Sequence, residues 1–323
     1  MPDRKDQEYF MEYITGRKKF QIEEPTVVSI GKFDGRHRGH QKLMSAMRRL
    51  AEQNHWKTAV FTFATAPAAV VGERPLKVIT TNEERRTNLE KSGIDYLVEY
   101  PFDSQSSHME PEEFVSRILA GQMNAKAIVA GTDCGFGYKR AGNAELLKKL
   151  ASRYGYQAEI IEKEQDCHRD ISSTYVKEML DKGEIEKANR LLGEPYSIHG
   201  IVVHGNGIGG SRLGFPTANL LPPPEKYLPA FGVYISSVTA GGKIYGGVTN
   251  IGRKPTITGD NPVGAETFLL DYEGDLYGQY IEVRLFSQIR PEKKFHTMEE
   301  LKAQIEKDKE QAQAYWTGSL APV

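Results

Sequence analysis

The pattern of apolar positions changes character near residue 195. Up to there, short apolar runs alternate with amphipathic stretches. Thr26-Val27-Val28-Ser29-Ile30, Thr58-Ala59-Val60-Phe61-Thr62-Phe63, residues 95–99, Ala127-Ile128-Val129-Ala130 and Ala158-Glu159-Ile160-Ile161 predict five strands, since continuous apolar runs of this length suit strands covered on both faces. Residues 39–54 place Leu43, Met47, Leu50 and Ala51 at helical spacing. Thr81-Asn82-Glu83-Glu84 has the form of a capping box and opens a helix that stops at Gly93. Pro111 to Ala120, closed by Gly121, and residues 144–154 predict two more helices. Strands alternating with helices imply a doubly wound α/β domain with a mostly parallel sheet, expected over residues 1–185.

After a helical stretch at 185–192, residues 196–290 lose the 3.6 period. Strand-like runs take over at 200–204, 232–238, 246–250, 266–272 and 280–285, punctuated by Gly and Pro. That pattern predicts a small antiparallel β-barrel, and a last helix from about Thr297 carries Leu301 and Ile305. The second domain is expected over residues 186–323.

Composition narrows the classes of function. With 42 Lys+Arg against 43 Asp+Glu, the net charge is −1, so no global basic field points to nucleic acid. The two cysteines, Cys134 and Cys167, lack metal-ligand spacing. Residues 1–6 have no apolar leader character, and the longest uncharged stretch, Thr58 to Gly72, contains Pro67 and is too short to span a bilayer. The expectation is a cytoplasmic protein that acts on small molecules, with no membrane or nucleic-acid partner; weak self-association stays open.

Two constellations carry candidate chemistry. The run Gly31-Lys32-Phe33-Asp34-Gly35-Arg36-His37-Arg38-Gly39-His40 joins a buried strand to a helix, where unpaired helix N–H groups and the dipole favour phosphate. His37 and His40 can both reach one phosphoryl oxygen, and Gly39 lets a substrate approach the backbone. The plain alternative is two polar residues on a turn. Ser172, Ser173 and Thr174 stand at another helix start, as ordinary caps or, with Lys177 one turn on, as a phosphate clamp. In the second half, Gly205, Gly207, Gly209 and Gly210 form G-x-G-x-x-G without the helix a dinucleotide fold requires; they suit either a hairpin turn or a loop close to phosphates. In Pro216-Thr217-Ala218-Asn219 an extended chain points Thr217 and Asn219 to one side, and two neutral oxygen donors beside phosphates suit Mg²⁺. Glu266 shares a strand face with Phe268 and Leu270. It is either a solvated strand-end carboxylate or a general base acting on an alcohol.

Together these segments resemble the prokaryotic bifunctional FAD synthetase family, a riboflavin kinase fused to an FMN adenylyltransferase. The first half is similar to the H-x-G-H nucleotidyltransferases in Gly31–His40, in Gly131-Thr132-Asp133-Cys134-Gly135-Phe136-Gly137 with Arg140 and Gly142, and in Ile171-Ser172-Ser173-Thr174. The second half resembles the riboflavin kinase module from Gly205 to Asn219, in Asn250-Ile251-Gly252, in Asp275-Leu276-Tyr277-Gly278, and in Arg290 with Lys294-Phe295 and the closing helix. The resemblance implies a six-stranded barrel with Mg²⁺ on Thr217 and Asn219, and Glu266 drawing the proton from the riboflavin 5′-hydroxyl. It also implies ATP as substrate of both halves, and FMN as product of one and substrate of the other. In the first half it implies His37 and His40 at the transferring phosphorus, with Gly31, Asp34, Gly39, Asp133, Arg140, Ser172, Ser173, Thr174 and Lys177 around the nucleotide. Arg290 would lie toward the flavin. The chain departs from the family pattern at Lys32 (commonly Asn), Ala66-Pro67 (His-Pro), Gly135 (Arg), Lys177 (Arg) and Ile208 (a basic residue). Two alternatives therefore remain: a riboflavin kinase with a weak or inactive adenylyltransferase domain, and a flavin-sensing regulator.

Overall fold

Parallel pairing of buried strands builds the first half of the molecule. The strands are β1 (Glu12–Thr15), β2 (Thr26–Ile30), β3 (Lys57–Phe63), β4 (Tyr96–Tyr100), β5 (Ala125–Gly131) and β6 (Gln157–Ile161), in the order β1-β4-β3-β2-β5-β6. The five runs expected from sequence become β2–β6. β1 is an added edge strand, paired with β4 from Glu12↔Tyr96 to Thr15↔Glu99. The computed structural model describes residues 10–64, 76–204, 217–253 and 263–318, and its contacts divide the chain into two units, Met1–Ser172 and Ser173–Val323.

The period-2 rule decides which side each strand residue covers. Val27, Val60, Leu97 and Val129 pack with Met44, Met47 and Leu50 of α1 (Arg38–Asn54) and Leu89 of α2 (Asn82–Lys91). Their neighbours Val28, Phe61, Val98 and Ile128 face the other way, onto Phe114, Ile118 and Leu119 of α3 (Phe114–Gln122) and Leu147 and Leu150 of α4 (Ala144–Tyr154). The Thr81 capping box at the start of α2 is present in full. α3 departs from expectation: a turn at Pro111–Glu113 leads into a π-wound segment, closed by Met123 N–H on the Ile118 carbonyl at 2.9 Å. α1 and α2 thus lie on one face and α3 and α4 on the other, so the winding reverses between the adjacent strands β2 and β5. Ligands of open α/β sheets bind at the carboxyl ends of the strands flanking such a reversal. After β6, a small hairpin of β7 (Gln165–Asp166) and β8 (Arg169–Asp170) leads to the end of the unit.

The second unit begins with α5 (Ser173–Asp181) and α6 (Ile185–Leu192), ahead of the boundary expected at 185. Both are tied to the strands that follow: Asn189 donates to the Leu285 carbonyl at 2.8 Å, and the Leu180 carbonyl accepts from Ala230 N–H at 2.8 Å. The strands are β9 (Tyr196–Ile201), β10 (Thr217–Leu220), β11 (Gly232–Ala240), β12 (Lys243–Arg253), β13 (Val263–Leu269) and β14 (Tyr280–Pro291), antiparallel in the order β10-β13-β12-β11-β14-β9. A bridge between Val203 and Asn219 draws the two edges together, so the sheet curls into a half-barrel. α7 (Met298–Trp316) closes one face, packing Ala312 and Tyr315 on Ile235, Phe268 and Leu270.

Arg290 anchors that helix. Its Nε and Nη2 donate to the Asp308 carboxylate at 2.8–3.1 Å, and Asp308 is only 2 % exposed. Breaking one side of a buried pair costs about 3–5 kcal/mol. Arg290→Ala should therefore lower the urea midpoint of the second unit by that equivalent, read by tryptophan fluorescence from Trp316 on α7.

Candidate active sites

The segment linking β2 to α1 carries the two histidines. Phe33 and Arg36 have φ of +49° and +36°, and Gly35 has φ of +82°, so the chain makes a tight left-handed excursion before α1 starts. His37 is the N-cap residue of α1 and makes no side-chain cap bond, which leaves the first-turn N–H groups for a ligand. One turn on, His40 stacks against it, with ring centroids 3.8 Å apart and planes 20° apart. Gly39 permits this contact, because a Cβ there would stand 3.2 Å from the His37 ring. Phe33, 1 % exposed, backs His40 at 5.2 Å. The Nδ1 atoms of both histidines are enclosed and lack a protein hydrogen-bond partner among the described residues.

Burial sets their charge. It drives His37 down to about 4, against the opposing pull of Asp34 and Asp133, and it holds His40 well below the usual histidine range, with His37 adding to the effect. Both rings are neutral at pH 7 and act as hydrogen-bond donors, not cations. A folded-state pKa below the unfolded value of about 6.5 means the unfolded chain binds more protons between pH 4 and 6.5. The stability of the first unit is then fully present above pH 6.5 and falls toward pH 4. His37→Asn should flatten this slope by up to about 1.4 kcal/mol per pH unit, measured as urea unfolding free energy at pH 4.5 and 6.5.

Beside the histidines, at the carboxyl ends of β5 and β6, lies an open polar cleft of about 360 Å³. It is lined by Thr132, Asp133, Glu162, Lys163, Gln165 and Asp170. Lys163 bridges Asp133 at 3.3 Å and Asp170 at 3.0 Å. Gly131 is close to Asp133: a Cβ at 131 would sit 3.0 Å from its Oδ1. Arg140, with φ of +59°, lays its guanidinium over Gly135, whose Cβ would stand 2.7 Å from the Arg140 Nε. The glycine at 135 thus makes room for Arg140, whose guanidinium has no hydrogen bond or ion pair among the described residues. Gly31, Asp34, His37, Gly39, His40, Asp133 and Arg140 therefore gather around the β2/β5 reversal. Ser172 ends the first unit, while Ser173, Thr174 and Lys177 belong to α5 of the second; the Lys177 ammonium stands 5.3 Å from the Tyr227 ring centre.

Strand register assembles the second site. β10 pairs with β13 so that Asn219 lies opposite Glu266, and β13 pairs with β12 so that Asn250 lies opposite Glu266 on its other side. Directly opposed residues share a sheet face, and Thr217 joins them two residues before Asn219. The Thr217 hydroxyl donates to Glu266 Oε1 at 2.6 Å, and Asn219 Nδ2 donates to the Thr217 carbonyl at 3.2 Å. Asn219 is 3 % exposed. Asn250, which the sequence offers only within the segment Asn250-Ile251-Gly252, is brought to Glu266 by register. Gly205, Gly207, Gly209, Gly210 and Ile208, with Ala66-Pro67 of the first half, lie outside the described residues. Arg290, expected toward the flavin, is committed to Asp308.

Two family models match the chain, one for each unit: FAD synthetase over residues 19–175 and riboflavin kinase over residues 192–316. A bifunctional riboflavin kinase/FMN adenylyltransferase from Bacillus subtilis is 35% identical over 297 residues, covering 90% of this chain and 93% of that one. This chain belongs to the bifunctional riboflavin kinase/FMN adenylyltransferase family. Family members from Listeria monocytogenes (33% identical, 90% of this chain, 92% of that one) and Escherichia coli (35%, 91% and 94%) match over the same extent. A crystal structure titled macrolide-efflux protein, from Streptococcus pneumoniae, shares the fold with a TM-score of 0.82 at 31% identity, over 94% of this chain and 98% of that one. Among the described residues here, no helix is long and apolar enough to cross a membrane.

Proposed function

We infer that the chain makes FAD from riboflavin in two ATP-dependent steps, one in each unit. Two separate side-chain sets carry the reading: a neutral histidine pair at the β2/β5 reversal, and Thr217, Asn219 and Glu266 converging across β10 and β13.

In the second unit, Glu266 accepts the proton of the riboflavin 5′-hydroxyl as that oxygen bonds to the γ-phosphorus of ATP. The bond to the β–γ bridging oxygen breaks, and ADP leaves with FMN formed. Thr217 holds Glu266 in place through the 2.6 Å hydrogen bond. The donor set fits Mg²⁺, since the Thr217 hydroxyl and the Asn219 carboxamide are neutral oxygen ligands, as this cation takes when phosphates and water complete its shell. These two residues would hold it, and it would neutralise phosphate charge during transfer.

In the first unit, a phosphate oxygen of FMN attacks the α-phosphorus of ATP and pyrophosphate departs. His37 and His40 donate hydrogen bonds to the oxygens on which charge grows, and the free N–H groups of α1 add to this. The polar cleft, rich in acceptors at Asp133, Glu162 and Asp170, suits the hydroxyl donors of the ATP ribose. Arg140 offers a charged fork to the phosphates, and the Ser172 hydroxyl at the end of the unit supplies a further hydrogen bond. FMN made by one unit is the substrate of the other. Incubating the purified protein with riboflavin, ATP and Mg²⁺ and resolving the flavins by chromatography tests this: FMN should appear first and FAD follow. FMN accumulating without FAD would reduce the protein to a kinase, and no product would leave a flavin-binding role only.

A further inference from the structure

We propose that Thr80 and Asp34 form a clasp that fixes the histidine loop, making both positioning residues for adenylyl transfer. The proposal rests on the reading of His37 and His40 above. The loop they hold is conformationally costly: Phe33, Gly35 and Arg36 all have positive φ, and two of the three carry a Cβ. Such a stretch keeps its shape only when its surroundings over-determine it.

The surroundings that do so come from the segment leading into α2. Gly35 N–H donates to Thr80 Oγ1 at 2.8 Å, and Thr80 N–H donates to Asp34 Oδ1 at 3.1 Å. The pair of bonds closes a reciprocal ring between residues 34–35 and residue 80. Thr80 is 8 % exposed and Gly35 is buried, so water does not substitute for the hydroxyl. Ile79 fills the space beside Gly35, where its Cδ1 lies 2.9 Å from the position of a Cβ. At the far end of α2, Arg36 Nη1 donates to Ser92 Oγ at 2.5 Å, and Arg48 of α1 donates to the Ser92 carbonyl at 2.9 Å.

α2 is itself fixed to the sheet. Arg85 and Arg86 both bind the carboxylate of Glu99, which is 1 % exposed on β4, and the Tyr13 hydroxyl donates to it from β1. Burial would raise the Glu99 pKa, but the bonds from Arg86 and Tyr13 and the charge of Arg85 hold it below the usual carboxylate range. Rigidity thus passes from the sheet through Glu99 to α2, and from Thr80 to the backbone two residues before His37. Asp34, expected from sequence near the nucleotide, has an oxygen committed to this clasp; an anionic side chain also suits that task better than facing phosphate.

The clasp acts on geometry at the reacting phosphorus, so its loss should appear in turnover and not in substrate binding. The test uses full-length Thr80→Val, Thr80→Ser, Asp34→Asn, Asp34→Leu and His40→Ala proteins. Each is assayed for FMN-to-FAD kcat and KM, and for riboflavin phosphorylation as an internal control of folding. Thr80→Val keeps the shape but removes the acceptor for Gly35 N–H. It should lower FAD-forming kcat by about 10- to 100-fold, with KM for ATP and FMN changed less than threefold and the kinase rate unchanged. Thr80→Ser should recover to within threefold of the parent. Asp34→Asn retains an acceptor oxygen and should stay within fivefold, while Asp34→Leu should fall as far as Thr80→Val; this second pair decides the matter if Thr80→Val does not fold. A Thr80→Val protein with parental kcat, a loss confined to KM, or Asp34→Asn as damaging as Asp34→Leu would overturn the clasp. If His40→Ala made FAD at the parental rate, the histidine reading would fall first and the clasp with it. An inactive His40→Ala beside an active Thr80→Val would remove the clasp alone.

Discussion

Glu266→Gln should reduce riboflavin phosphorylation by about 10²- to 10⁴-fold, the usual contribution of a general base, while supplied FMN is still converted to FAD. The substitution is nearly isosteric. A glutamine carbonyl can still accept from the Thr217 hydroxyl, now 2.6 Å from Glu266 Oε1, so β10 and β13 keep their register. What disappears is the ability to take a proton from the attacking alcohol. KM for ATP should therefore change little, and the defect should lie in kcat. A matched loss in both steps, in a folded protein, would mean that Glu266 supports the structure and not the chemistry.

His40→Ala should give the mirror-image result: FMN accumulates from riboflavin, and FAD formation falls by about 10²- to 10³-fold, the usual cost of removing one donor to a developing oxyanion. The ring to be removed packs between Phe33 and His37. Its loss also deprives His37 of its stacking partner, so the effect should approach the upper end of that range. Because both rings are held neutral by burial, His40→Gln, which keeps an N–H donor, should recover part of the rate, whereas His40→Lys should not.

Much of this was legible from the chain itself, and the misses have physical causes. The five runs of the first unit are legible because both faces of the sheet are covered, so apolar residues dominate them and polar ones such as Ser29, Thr62 and Glu99 are few. β1 carries no such signal because Glu-Tyr-Ile-Thr lies at an edge, half-buried only in its middle two positions, and looks like an ordinary polar segment. β9 begins at Tyr196, four residues before the apolar run at Gly200, since its pairing with β14 is set by register and not by its own hydrophobicity. The H-x-G-H pair and the Thr217/Asn219 spacing are local, so sequence shows them directly. Thr80 acts through partners 45 and 46 residues away, Asp308 through Arg290 across a helix–sheet interface, and Asn250 through strand register, so no local pattern gives their roles. Glu99 did leave a trace: a glutamate inside Tyr96-Leu97-Val98-Glu99-Tyr100 must find cations when all five positions are buried, and the adjacent arginines at 85 and 86 supply them.

The central claim is that two independent sites in one chain pass FMN from one to the other. Mixing the Glu266→Gln and His40→Ala proteins tests it most directly, starting from riboflavin, ATP and Mg²⁺. Either variant alone should yield FAD from riboflavin at no more than about a hundredth of the parental rate, and the mixture should restore it, with free FMN passing through solution as the intermediate. A mixture that still makes no FAD, from two proteins shown to be folded, would contradict the division of labour between Glu266 and the histidine pair.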